Sequence, residues 1–195
     1  MSNSQSVTKT KRPFFWVDLE MTGLDEAVDS ILEVAIALTD TELNVIEQYQ
    51  KVVFQPQNVI DGMNDWCKKT HGQSGLTAAI PNGTPLAQVE KEVLALIEGH
   101  YSRNERIVLC GNSVGNDRRF IDKYMPTLAQ RLHYRLIDVS SFKEVYRDIY
   151  GLSFQKKNAH RATDDILESI NELKFYLSFV KVPVTPATTT TTTPS

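Results

Sequence analysis

Phe14-Phe15-Trp16-Val17-Asp18-Leu19-Glu20 is the stretch whose reading decides the fold. Its aromatic and β-branched residues predict a buried strand, and Met21-Thr22-Gly23 turns the chain after it. Asp18 and Glu20 are two residues apart, so strand alternation puts both carboxylates on one face. Acidic pairs at this spacing are common at exposed strand ends. Here, however, the pair interrupts an apolar run that belongs in the interior, where an unpaired carboxylate is costly. Two like charges so close raise each other's pKa unless a cation lies between them.

Working outward, Ile31 to Leu38 and Val45 to Phe54 read as two further strands, joined by a connection, 39–44, short enough for a hairpin or meander. Thr84-Pro85 supplies an N-cap and a first-turn proline, after which Leu86, Val89, Val93 and Ile97 recur at helical spacing until Gly99. Ile107 to Cys110 predicts a buried strand, Asp117 to Tyr124 a short helix ended by Pro126, and Tyr134 to Asp138 another strand. Phe142, Val145, Tyr146 and Ile149 mark one more helix, and Ile166, Ile170, Leu173 and Leu177 mark the last. Three strands in succession followed by alternating helices and strands describe an α/β fold, a mixed sheet flanked by helices.

The composition sets bounds on function. A chain of 195 residues with 41% apolar and 23% charged residues suits one ordinary soluble domain. No apolar run approaches the roughly 20 residues needed to span a bilayer. Residues 1–12 have no apolar stretch of the kind a secretory signal needs, and Lys9, Lys11 and Arg12 among Ser and Thr read as a flexible basic tail. A cytoplasmic location is expected, with a mitochondrial transit segment as the alternative reading. Thr188 to Thr193, flanked by Pro183, Pro186 and Pro194, is too poor in apolar residues to order, so 13–182 is the expected domain and 183–195 a disordered tail. Cys67 and Cys110 are too few for a disulfide framework or a zinc site. A net charge of −3 argues against a stable complex with long nucleic acid, which needs many phosphate contacts.

Further acids complete a pattern. Asp117 follows a strand and the turn Gly111-Asn112-Ser113-Val114-Gly115-Asn116, where a helix-start acid favoured by the macrodipole is the alternative reading. Asp165 lies in the first turns of the final helix. His160 precedes it by five residues, about 500° of helical rotation, and so belongs on the preceding loop. Four carboxylates and a loop histidine suit hydrolysis with two Mg²⁺ or Mn²⁺ ions about 4 Å apart, the histidine taking the proton of the attacking water. Serine chemistry through Ser113 or Ser140 has no nucleophile-elbow sequence, and Cys67 near His71 has no evident third group.

Trp16-Val17-Asp18-Leu19-Glu20-Met21-Thr22-Gly23-Leu24, Gly111 to Phe120, Lys123-Tyr124-Met125-Pro126, His133-Tyr134-Arg135 and His160-Arg161-Ala162-Thr163-Asp164-Asp165-Ile166 together resemble the successive signatures of the oligoribonucleases, in the histidine-containing branch of the DEDD exonuclease superfamily. The resemblance runs in order from about residue 14 to 180. The ribonuclease H-like architecture of that superfamily fits the element order, which by itself does not single it out. The resemblance implies a 3′-to-5′ exonuclease acting on short RNA, with Asp18, Glu20, Asp117 and Asp165 as ligands of two Mg²⁺ or Mn²⁺ ions and His160 as general base. It implies that Leu24 and Trp66 contact the bases and that Ser113 also lies against the substrate. It further implies a homodimer, in which Tyr134 and Arg135 reach the neighbouring subunit's substrate and Ser140 helps hold a 5′ phosphate. Partial core burial is the alternative for Trp66. One stretch departs from the pattern: 151–159, Gly-Leu-Ser-Phe-Gln-Lys-Lys-Asn-Ala, lacks the tryptophan and proline many relatives have there, so the loop bearing His160 is expected to be positioned differently. A DNA exonuclease of the same chemistry and a non-catalytic binding domain are the rival readings; Leu24, Trp66 and His133-Tyr134-Arg135 favour the first reading over the former, and the full set of acids favours it over the latter.

Overall fold

Strand alternation gives the central sheet two packed faces. The computed structural model describes residues 12–155 and 162–181. It contains a five-stranded sheet of β1 (Phe14–Met21), β2 (Ile31–Thr39), β3 (Val45–Val52), β4 (Ile107–Gly111) and β5 (Leu132–Asp138), in the order β3-β2-β1-β4-β5. β2 runs antiparallel to both β1 and β3, while β4 runs parallel to β1 and to β5. This is the mixed, helix-flanked α/β sheet that the element order predicts. Every residue of β2 is buried, as an internal strand with both faces covered requires. At the β3 edge, Glu47, Gln48, Gln50 and Lys51 supply the polar groups that discourage further strand pairing.

On one face, Phe15, Val17 and Leu19 pack with Val89, Val93 and Ile97 of α4 (Leu86–His100) and with Phe120 and Ile121 of α5 (Gly115–Tyr124). On the other, Trp16 packs with Ala35, Ala37 and the Ile166, Ile170, Leu173 and Tyr176 stripe of α8 (Ala162–Leu177). Burying each such large side chain stabilises the fold by about 1.5–3 kcal/mol. Trp16 also satisfies its buried indole N–H by donating to Thr39 Oγ1 at 3.1 Å. Leu177, expected on the same stripe, is 42% exposed at the helix end, and Tyr176 takes the buried place.

A third cluster lies where the apolar pattern is too sparse to predict an element. Between β3 and α4 the chain forms α1 (Gln57–Asp61), α2 (Asp65–Gln73), α3 (Leu76–Ala79) and a 3-10 turn, Ile80–Asn82. Ile60, Met63, Cys67, Leu76 and Ile80 pack there around Leu32 of β2. Asn64 caps α2 by accepting from the Cys67 N–H at 2.8 Å.

Some boundaries differ from expectation. The third strand ends at Val52 rather than Phe54 because the next residues pair differently. Thr84 N–H donates to the Val52 carbonyl, and the Thr84 carbonyl accepts from Phe54 N–H. Thr84 therefore serves a β-bridge with Val53, and Pro85 occupies the cap position of α4 without a side-chain cap. Pro126 does follow the end of α5, yet it opens a further short helix, α6 (Pro126–Ala129), as a proline at a first helical position can. α7 (Val139–Tyr150) is capped by Asp138 and ended by Gly151 at φ +66°. At Gly111 a side chain is excluded, since a Cβ there would lie 2.7 Å from the Val17 carbonyl oxygen. β4 thus passes close to β1 immediately before Asp18. Apart from Arg12, the expected tails at 1–12 and 183–195 fall outside the described residues. Among the described residues no helix is long and apolar enough to cross a membrane.

Because Ala37 is fully buried beneath α8, Ala37→Leu should overpack that face, lowering stability by about 1–3 kcal/mol in urea unfolding. An unchanged unfolding midpoint would show that α8 does not rest on this surface.

Candidate active site

Asp18 and Glu20 continue the face of Trp16 past the end of its apolar packing, which is the face that α8 covers. A register shift falls between Glu20 and Met21, a strand irregularity of the kind that re-aims side chains beside functional sites. α8 brings Asp165 from its first turn, where the helix dipole favours an acid. One carboxylate oxygen from each of Asp18, Glu20 and Asp165 lies within 4.8 Å of the others. All three are partly buried, so their mutual repulsion is only weakly screened.

A buried acid missed in the sequence supports this arrangement. Glu33 is fully buried and stands opposite Glu20 in the strand pairing. It accepts from Gln50 Nε2 at 2.8 Å and from the Ala162 N–H, at the start of α8, at 3.4 Å. The available signal was a lone acid in the apolar run Ile31 to Leu38, the same anomaly that marks Asp18 and Glu20.

Asp117 occupies the first turn of α5, 5% exposed, with Oδ1 accepting the Leu19 N–H at 2.9 Å. This bond ties α5 to the backbone between Asp18 and Glu20. Burial pushes the Asp117 carboxyl up to about 7, against the lowering effect of the Leu19 bond and of its own backbone N–H, while the charge of Asp138 adds to the rise. Asp117 is not among the three clustered acids; it is joined to the strand that carries two of them through the Leu19 N–H.

A cleft of about 550 Å³ opens over the cluster, lined by Asp18, Glu20 and Asp165 together with Leu24, Trp66 and His71. Leu24 and Trp66 are 63% and 62% exposed, so the core-burial reading of Trp66 does not hold. The buried residues of α2 are its neighbours Cys67 and His71. His71, unassigned from the sequence, stands 1% exposed with Nε2 2.9 Å from the Met21 carbonyl oxygen. A carbonyl can only accept, so Nε2 bears a proton and Nδ1 faces Glu20 Oε2 at 3.8 Å, beyond hydrogen-bond reach.

Ser113 and Ser140 meet at one acid. Asp138 Oδ1 accepts from Ser113 N–H at 2.9 Å, from Ser140 N–H at 2.9 Å and from Ser140 Oγ at 2.7 Å. Ser113 has φ +53°, uncommon for a residue with a side chain, and Asp138 helps hold it there. Tyr134, 78% exposed, and Arg135 project from the sheet-edge strand β5 and do not line the cleft. His160 lies outside the described residues.

Among the described residues the clustered donors are all carboxylates, and in a partly buried cleft these fit a hard divalent cation, which would also relieve the repulsion of the acids. An exonuclease family model matches residues 15–173. Mitochondrial oligoribonuclease of Homo sapiens is 46% identical over 167 residues, 83% of this chain and 70% of that protein. The probable oligoribonuclease of Dictyostelium discoideum is 47% identical, covering 89% of this chain and 93% of its own length. The oligoribonuclease of Hydrogenovibrio crunogenus is 42% identical, covering 90% and 97%. The zinc-bound complex of E. coli exonuclease I with single-stranded DNA superposes with a TM-score of 0.63 at 17% identity, over 86% of this chain and 41% of that one, a likeness of fold. The fold and the carboxylate cluster thus define a divalent-metal-dependent nuclease of ribonuclease H-like architecture. Within the exonucleases, the chain belongs to the oligoribonuclease family.

Asp117 yields a pH test. Its carboxyl ionises near 3.8 when unfolded and at about 7 when folded, so the stability its protonated form contributes is complete below about pH 4 and lost as pH rises toward 7. Asn at this position keeps an acceptor for Leu19 N–H without the buried charge. In EDTA, the Tm of Asp117→Asn should gain on that of the wild type between pH 4 and 8. Parallel Tm profiles would contradict the raised pKa.

Proposed function

We propose that the cleft hydrolyses the 3′-terminal phosphodiester of very short RNAs and releases mononucleotides one at a time. The observation that supports this best is the juxtaposition of three carboxylates within 4.8 Å of one another with two large apolar side chains held in water at the same cleft. Carboxylates alone serve many phosphodiesters. Leu24 and Trp66 add flat or apolar surface against which bases of any identity can rest.

In this reading Asp18, Glu20, Asp165 and Asp117 hold two Mg²⁺ or Mn²⁺ ions. When bound, such ions stabilise the attacking and leaving oxygens and acidify a water molecule. His160 takes the water's proton, a task suited to an imidazole of ordinary pKa near 6.5. In this reading Ser113 contacts the substrate and Ser140 helps hold its 5′ phosphate. Ser140 Oγ has a single proton and donates it to Asp138, so its hydroxyl reaches a phosphate only by rotating away from that acid.

The same reading includes a homodimer. Tyr134 and Arg135 are exposed on an edge strand away from their own cleft, with the Arg135 guanidinium 5.4 Å from the Tyr134 ring. α7, which follows β5, exposes Val145, Ile149 and Tyr150. An edge strand beside an apolar helix face suits burial against a second copy, and in this reading Tyr134 and Arg135 reach the partner's substrate from that interface. A phosphate contact at fixed distance from the metals then favours the shortest RNAs, in keeping with the net charge of −3.

With 5′-labelled RNAs of two to about ten nucleotides, turnover should be fastest on the shortest, exceed that on DNA of equal length, vanish in EDTA and return with Mn²⁺. Asp18→Asn, Glu20→Gln, Asp165→Asn and Asp117→Asn should each lower kcat about a hundredfold or more, equivalent to roughly 3 kcal/mol of transition-state stabilisation. Half-maximal turnover by Asp18→Asn, or a preference for long substrates, would defeat the reading.

The dimer has its own test. An inactive Tyr134→Ala protein mixed with an inactive Asp18→Asn protein should recover part of the activity as subunits exchange, because each mutant supplies what the other's site lacks. A monomer by light scattering that cleaves two-nucleotide RNA at full rate would exclude it.

A further inference from the structure

The turn between β1 and β2 places Leu24 at the cleft, and an apolar side chain in water has no polar group of its own to fix it. Its position therefore depends on the backbone of residues 22–30. Asp29 knots this segment internally, accepting from Thr22 Oγ1 at 2.8 Å and from the Asp25 N–H at 3.0 Å. Gly23 packs so tightly against that carboxylate that a Cβ would lie 2.4 Å from Asp29 Oδ2.

From outside, α5 reaches the segment with three side chains. Arg119 donates through Nη2 to the carbonyl of Leu24 itself at 3.1 Å and through Nε to Glu26 at 3.0 Å. The same Nη2 donates to Asn116 Oδ1 at 3.2 Å, which braces the guanidinium on its own helix. Lys123 Nζ donates to the carbonyls of Glu26 and Ala27, the latter at 2.9 Å. The Tyr124 hydroxyl lies 2.6 Å from the Asp29 carbonyl oxygen and 3.2 Å from that of Glu26. The exposed Arg119–Glu26 ion pair contributes little alone. The bonds to carbonyls are different, because they fix backbone that otherwise would be free in a loop.

We propose that Arg119, Lys123 and Tyr124 form a positioning clamp that holds Leu24 at a set distance from the carboxylate cluster and thereby determines how tightly short RNA is bound. The helix that makes the clamp also bears Asp117, two residues before Arg119, which is bonded to the backbone between Asp18 and Glu20. One rigid element thus references both the base-contacting lip and the acids. The inference rests on the proposed contact between Leu24 and a base. A clamp of this kind acts on substrate affinity through Leu24 and leaves the chemical step alone.

The experiment is a double-mutant cycle on two-nucleotide RNA with Leu24→Ala, Arg119→Ala and the double variant, reading KM, kcat and Mn²⁺ dependence. Arg119→Ala should raise KM roughly tenfold, the scale of one charge-assisted hydrogen bond, with kcat within about twofold of wild type and the Mn²⁺ midpoint unchanged. The double variant should have nearly the KM of Leu24→Ala alone, since without the leucine there is nothing left to position. Tyr124→Phe, which removes only a hydroxyl, should give a smaller rise in KM with the same pattern, and it serves if Arg119→Ala does not fold. Multiplying effects in the cycle, or a fall in kcat or Mn²⁺ affinity matching the change in KM, would overturn the clamp while leaving the Leu24 contact standing. A Leu24→Ala enzyme with unaltered KM would instead remove the base contact itself, and the clamp with it.

Discussion

Along β1 a step of one residue turns a side chain from one face of the sheet to the other, and the active-site geometry depends on that constraint. Phe15, Val17 and Leu19 are committed to the α4 and α5 side, so Trp16, Asp18 and Glu20 must face α8. The hydrophobic packing that seats α8 on Trp16, Ala35 and Ala37 also delivers Asp165 to the two strand acids. Packing and chemistry are therefore one arrangement. Small residues in β2 let the helix approach, and Glu33 meets its first turn.

The acids are assembled against their own electrostatics. Three carboxylates share a space a few ångströms across, and Asp117 is buried enough to hold its proton near neutrality. Apolar burial elsewhere offsets this cost, as local strain and repulsion at functional sites generally require. The arrangement leaves a donor set of hard oxygens that a divalent cation would neutralise. Asp138 plays a related part on the neighbouring strand ends, gathering Ser113 and Ser140 on one oxygen.

Much of this was legible in the sequence where periodicity was strong. The five strands, the α4 and α8 stripes and the placement of Asp117 and Asp165 on helix starts followed from apolar runs and helical spacing. The segment 57–82 was not legible, because its helices are short and their apolar residues too scattered for a period to emerge. Thr84 misled, since a residue that looks like a helix cap can spend its backbone on a β-bridge instead. His71 and Asp138 could not be found from spacing at all. Their roles arise from residues distant in sequence, Met21 and Glu20 for the one and Ser113 for the other. Leu24 and Trp66 are legible only through the family resemblance, because local periodicity marks apolar side chains that are buried and both of these stand in water.

Anomalous diffraction from a crystal soaked in Mn²⁺ tests the central claim most directly, because it locates the cation without relying on turnover. The account predicts manganese between Asp18, Glu20 and Asp165, with oxygen ligands at about 2.0–2.2 Å, and a second ion about 4 Å away. Manganese bound elsewhere with this cluster left empty, or held by only one of the three acids, would contradict it.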